Sequence, residues 1–114
     1  MFLISSDGTR IAYDVQGEGS ALFLLPGFAE SRQIWHEIGY VDRLCHHFRV
    51  ITMDRRGMGE SDLPIEPNAY TIEKLLGDIC CVADACGAEH FLMWGHSFGG
   101  SQTLQLPTNC ATSY

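Results

Sequence analysis

Positive charge is scarce in this chain of 114 residues: seven Lys and Arg stand against fourteen Asp and Glu, a formal net charge of −7 at pH 7, and no basic run exceeds the pair Arg55-Arg56. That balance argues against nucleic acid and anionic membrane surfaces as partners. Long apolar runs are missing too. Nothing approaches the ~18 apolar residues a spanning helix requires, and Met1 to Arg10 has neither the basic start nor the apolar stretch of a secretory leader, so a cytoplasmic protein with no membrane span is expected. The five cysteines (Cys45, Cys80, Cys81, Cys86 and Cys110) are odd in number and form no C-x-x-C pair, which argues against a disulfide framework and for free thiols. No G-K-[ST] occurs, and Gly57-Met58-Gly59 lacks the third glycine of G-x-G-x-x-G, so nucleotide binding is set aside. In His36-Glu37-Ile38-Gly39-Tyr40 a tyrosine replaces the second histidine of a zinc-binding H-E-x-x-H, and neither metal nor cofactor is expected.

What is present is the balance of an ordinary globular domain, with 46% hydrophobic, 18% charged and 11% aromatic residues. A chain of this length supports one core, and it shows no internal repeat, linker or second domain. Phe2-Leu3-Ile4 and Arg10 to Val15 read as an antiparallel pair split by the turn signal Asp7-Gly8. Ala21 to Leu25, closed by Pro26-Gly27, and Val50 to Met53, closed by Asp54, are continuous apolar runs. Such runs belong to strands covered on both faces, inside a parallel sheet.

Between them, Ile34/Trp35, Ile38, Val41, Leu44/Cys45 and Phe48 recur every three or four residues, predicting one amphipathic helix over about Ser31 to His47 with Ser31 as N-cap. Thr71 to Cys86 repeats the pattern through Ile72, Leu75/Leu76, Ile79/Cys80 and Ala83, with Gly87 as its stop. A third buried run, His90 to Trp94, follows. The β-β-β-α-β-α-β order predicts an α/β fold, a mostly parallel sheet after an antiparallel start. In such sheets ligands bind beyond the carboxyl ends of the strands, after Leu25, Met53 and Trp94.

Directly after the third run stands Gly95-His96-Ser97-Phe98-Gly99-Gly100, a G-x-S-x-G with a strand before it and a predicted helix after it. A sharp strand-to-helix turn needs neighbours without Cβ two positions either side of its apex, and Gly95 and Gly99 supply them. Ser97 is then presented at the start of a helix, where the dipole favours a developing negative charge. The turn Pro26-Gly27-Phe28 follows an earlier strand, where the amide of Phe28 can join that of Phe98 as an oxyanion hole.

With these motifs the chain resembles the amino-terminal half of the α/β-hydrolase family, over Phe2 to about Leu104. The resemblance rests on the Pro26-Gly27 turn, on Asp54-Arg55-Arg56-Gly57-Met58-Gly59-Glu60-Ser61 as D-x-R-G-x-G-x-S, and on the elbow from Gly95 to Gly100. It implies Ser97 as nucleophile, the Phe28 and Phe98 amides as oxyanion hole, a small-molecule acyl substrate such as an ester, and an acyl-enzyme formed with a Ser-His-acid triad. Members that act on epoxides or haloalkanes resemble the chain too, but carry Asp at the nucleophile position. Pro26 stands where the family often has His, which leaves the Phe28 amide intact.

The family's acid and base follow the nucleophile, yet none of Phe98 to Tyr114 is His, Asp or Glu. The reading is therefore a domain cut after the elbow, residues 1–106 carrying the family pattern and 107–114 a polar tail. Its alternative is an inactive fragment or pseudoenzyme that binds ligands or partners. A sheet that stopped at the nucleophile strand would expose an edge, and self-association through that edge is expected. Several residues have plainer readings. His96 adjoins Ser97, but adjacent side chains on an elbow point different ways, so it is not expected to act as its base; His36, His46, His47 and His90 read as surface or helix-end residues. Asp54 fixes its own turn, Cys80, Trp35 and Trp94 read as core, and Phe28 and Phe98 are candidates to line an acyl pocket.

Overall fold

The turn at Asp7-Gly8 forms as its residues dictate. The Asp7 carboxylate accepts from the Thr9 amide at 3.1 Å, and Ser5 N donates to Thr9 O at 2.8 Å. In the computed structural model, which describes residues 1–26, 30–88 and 90–95, this turn joins β1 (Phe2–Ile4) to β2 (Arg10–Gln16) as an antiparallel pair with Leu3 opposite Ile11. β3 (Ala21–Leu25) and β4 (Arg49–Met53) are parallel, with Phe23 opposite Ile51, and β5 (Leu92–Gly95) runs parallel to β3 on its other side. The sheet order is β1-β2-β4-β3-β5. β3 thus has two parallel neighbours, as expected, while β4 is parallel to β3 but antiparallel to β2, with Val15 opposite Ile51.

The continuous apolar run of β3 is explained by cover on both faces. Phe23 and Leu25 point to one side, where Ile51, Met53 and Met93 meet Ile79 and Val82 of α3 (Ile72–Ala85). Leu22 and Leu24 point to the other, against Trp35 and Val41. Thr71 caps α3, its hydroxyl accepting from the Lys74 amide at 3.4 Å, and Gly87 follows the helix with φ +68°. Both ends agree with the spacing.

The helix predicted over Ser31 to His47 is instead two short ones, α1 (Gln33–Glu37) and α2 (Tyr40–Leu44). Gly39 breaks it. With φ +82° it adopts the left-handed conformation that stops one helix and re-aims the next, so that Trp35 and Val41 both reach the sheet while Ile38, on the predicted stripe, is 50% exposed. Ser31 is not the N-cap; Arg32 holds that position, and the Ser31 hydroxyl accepts from the Gln33 amide at 3.3 Å.

The third run also departs from expectation. Phe91 and Met93 are buried, the Phe91 ring packing tilted at 51° against Phe23 with 4.9 Å between ring centres, but Trp94 is 40% exposed and is not core. Its ring lies T-shaped to that of Tyr40, 5.8 Å between ring centres. Among the described residues α1 and α2 cover the β3 and β4 part of that face and leave β5 half bare, and no strand pairs with the outer edge of β5.

Candidate functional site

Three parallel strands end at one edge of the sheet, and their register aligns the endings. Leu25 lies opposite Gly95 across β3 and β5, and Leu24 opposite Thr52 across β3 and β4. The chain therefore leaves β3 at Pro26, β4 at Asp54 and β5 after Gly95 side by side, neighbouring strands being about 4.8 Å apart. Of the residues singled out in the sequence, Gly95 closes β5. Ser97, Phe98, Gly99 and Phe28 lie outside the described residues, as does the 107–114 tail.

The turn after β4 is more than the surface loop its charges suggest: Asp54, Arg55 and Arg56 are all buried. Asp54 fixes its own turn by accepting from the Glu60 amide at 2.9 Å. It also accepts from the Arg32 amide at 2.6 Å and from the Arg32 guanidinium. Gly59 is required there, because at φ +51° a Cβ would sit 2.2 Å from Asp54 Oδ2. Ser61 closes the loop, donating to Asp54 O at 2.7 Å and accepting from the Ala12 amide at 2.9 Å.

Arg32 completes this cluster with Nε to Asp14 at 2.6 Å and Nη2 to Glu60 at 2.8 Å. Burial acts against the Arg32 charge, but the bonds to Asp14 and Glu60 outweigh it and hold its pKa above the ordinary value. Burial likewise works to raise Asp14, and the Arg32 hydrogen bond and charge reverse it, leaving the carboxyl below its usual range.

Arg56 turns to the opposite side. Its Nε and Nη2 form a fork on Asp78, both at 2.7 Å, and Nη1 reaches Asp7 and the Ala69 carbonyl, each at 2.7 Å. Asp78 also accepts from the Ser5 hydroxyl at 2.5 Å. The Arg56 bond holds the Asp7 carboxyl well below the usual carboxylate range. Arg55 donates from Nη2 to the carbonyl of Pro26, the first residue after β3. Burial pushes this guanidinium down to about 10, with the Glu30 charge opposing.

The sequence reading missed Arg32 and Asp78. Asp78 carried a signal, since it sits three residues after Leu75 and one before Ile79 on the apolar stripe of α3, where a carboxylate must find a cation. Arg32 carried less, being simply the one cation between Arg10 and Arg43. Beside this edge, Arg55, Met58, Leu63, Tyr70 and Leu75 line a largely apolar cavity of about 420 Å³, within the size range of small-molecule sites. A smaller one of about 270 Å³ lies between Trp35, Ile38, Tyr40 and Trp94. Among the described residues no helix is long and apolar enough to cross a membrane, and no three His, Cys, Asp or Glu side chains gather as metal ligands.

An open, mostly parallel sheet with turns converging at its carboxyl edge defines an α/β protein, the class in which ligands bind outside the carboxyl ends of the strands. Comparison with known proteins narrows this. A family profile described as the alpha/beta hydrolase fold matches residues 20–108. Epoxide hydrolase 2 of Siraitia grosvenorii is 31% identical over 97 residues, 84% of this chain and 30% of that protein. Among solved structures, the bottromycin epimerase BotH in complex with bottromycin A2 superposes with a TM-score of 0.88 at 31% identity, over 96% of this chain and 45% of that one. The enol-lactonase from Burkholderia xenovorans LB400 gives 0.82 at 30% identity, over 91% of this chain and 40% of that one. The chain belongs to the alpha/beta hydrolase fold family, and it spans between 18% and 30% of the length of the curated relatives it matches most strongly.

Proposed function

We propose that this chain carries the nucleophile, the oxyanion amides and the sheet that aligns them in a serine hydrolase acting on esters or related acyl substrates. The observation that supports the reading is the register of β3 and β5: with Leu25 opposite Gly95, the turn holding Phe28 and the elbow holding Ser97 leave adjacent strands at the same edge. The Ser97 hydroxyl attacks the acyl carbonyl, and the Phe28 and Phe98 amides donate to the resulting oxyanion. The alkoxide or amine leaves with a proton, and water then cleaves the acyl-serine ester.

Ser97 also separates this reading from the chemistry named by the epoxide hydrolase relatives, because epoxide-opening members of the family carry Asp at that position. The family places its acid and base after the nucleophile, and residues 98–114 contain no His, Asp or Glu.

The test is labelling with a fluorophosphonate, read by intact mass and compared with Ser97→Ala. One adduct on the wild type and none on the variant supports an activated Ser97. No adduct on a protein that circular dichroism shows to be folded favours the inactive alternative.

A further inference from the structure

Trp35 and Tyr40 are five residues apart, and on a continuous helix such positions lie about 140° apart around the axis and face different ways. The break at Gly39 removes that constraint. Trp35 on α1 and Tyr40 on α2 come together with 5.4 Å between ring centres and 43° between ring planes. Trp94 of β5 adds a third ring, at 73° to that of Tyr40. Rings set at such angles form a concave corner and not a stack, and with Glu30, Ile34 and Ile38 they line the cavity of about 270 Å³.

We propose that this cavity is a binding site for a small-molecule quaternary ammonium group, of the kind choline carries, held by the rings of Trp35, Tyr40 and Trp94 with Glu30 as its counter-charge. The ligand class follows from what the lining offers. Aromatic rings attract a cation through their π systems. Glu30 is the one charged residue lining the cavity among the described residues, and its charge also reaches Arg55. Arg43 lines an adjoining hollow that shares Tyr40 and Trp94. A primary ammonium would bring three N–H donors to a wall with two accepting side chains, Glu30 and the Tyr40 hydroxyl, since the indoles of Trp35 and Trp94 only donate. A quaternary ammonium has no N–H to leave unpaired. The volume lies just under the roughly 300–1,000 Å³ of drug-sized sites, which suits a compact head group, and the net charge of −7 draws cations to the chain. The inference does not rest on the serine-hydrolase reading.

Saturation-transfer NMR on the full chain, at constant ionic strength, compares choline with its neutral isostere 3,3-dimethylbutan-1-ol, in which carbon replaces the charged nitrogen. Each probe gives a single methyl signal to follow. The expected result is saturable choline binding in the millimolar range, with the neutral probe about tenfold weaker, the share that a partly desolvated cation on aromatic rings supplies. Trp94→Leu keeps an apolar side chain at a position 40% exposed; it should weaken choline at least about tenfold and the neutral probe far less. Glu30→Gln should weaken choline only about twofold to threefold, because that carboxylate is partly exposed and shared with Arg55.

The absence of saturable choline binding overturns the proposal. Equal affinity for the two probes also overturns it, because the hollow is then merely apolar, and so does a Trp94→Leu variant that binds choline as the wild type does. Should Trp94→Leu not fold, the indole N–H signals of the nitrogen-15-labelled wild type decide: an indole shift that saturates along the choline titration supports the site, and none refutes it.

Discussion

Replacing Asp78 with Asn changes one oxygen of a buried side chain and should unfold the protein at far lower denaturant. Asp78 and its partner Arg56 are each 1% exposed, and the fork between them is made of two bonds of 2.7 Å. Asn removes the charge and turns an amide donor toward a guanidinium that can only donate. Breaking one side of a buried pair costs about 3–5 kcal/mol. Arg56 keeps Asp7 and the Ala69 carbonyl, so the lower end, about 3 kcal/mol, is the expected loss. That is a large part of the roughly 5–15 kcal/mol that holds a domain of this size together.

With a urea slope of about 2 kcal/mol per molar, the midpoint should fall by about 1.5 M at constant slope. Circular dichroism at neutral pH reads it. The double variant Arg56→Met/Asp78→Leu, which removes both buried charges, should lie closer to wild type than Asp78→Asn does, because the one charge it leaves unpaired, Asp7, is 29% exposed and keeps water. A midpoint shift below about 0.3 M for Asp78→Asn, or a double variant less stable than the single one, would refute the account of this pair as a buried anchor.

Other consequences can be measured as directly. Gly59→Ala places a methyl on the Asp54 carboxylate and forces Ala into a left-handed backbone, so a loss on the order of 3 kcal/mol is expected in the same titration. Asp7 and Asp14 are both held below their usual range of 3.8 in the folded chain. Their stabilisation is full above that value and drains away as pH falls below about 4; urea midpoints between pH 2 and 6 should show the decline, and Asp7→Asn should flatten it. Trp94 is 40% exposed and Trp35 3%, so acrylamide should quench one component of the emission and Trp94→Phe should remove it. Two equally protected tryptophans would contradict the half-bare face of β5.

The strands were legible because β3 and β4 are covered on both faces, and such strands advertise themselves as unbroken apolar runs. β5 has a similar run, yet apolar character does not reveal whether a neighbour is present to bury it, and Leu92 and Trp94 stand partly in solvent. The break at Gly39 was hidden by a stripe that continues through it, although a glycine mid-helix costs about 1 kcal/mol and was the signal available. The motif turn after β4 was visible as a string of charges. Its burial was not, because the groups that neutralise it, Arg32, Asp7 and Asp78, come from three separate parts of the chain.

The sheet order makes one strand a keystone. β2 and β3 are consecutive in the chain but not neighbours; β4 lies between them, antiparallel to β2 and parallel to β3. Asp54 and Arg55 follow directly on the end of that central strand, where they hold Arg32 and the Pro26 carbonyl. A slip of β4 along its neighbours would carry both contacts with it, so the register in the middle of the sheet and the polar contacts at its carboxyl edge are set by the same strand.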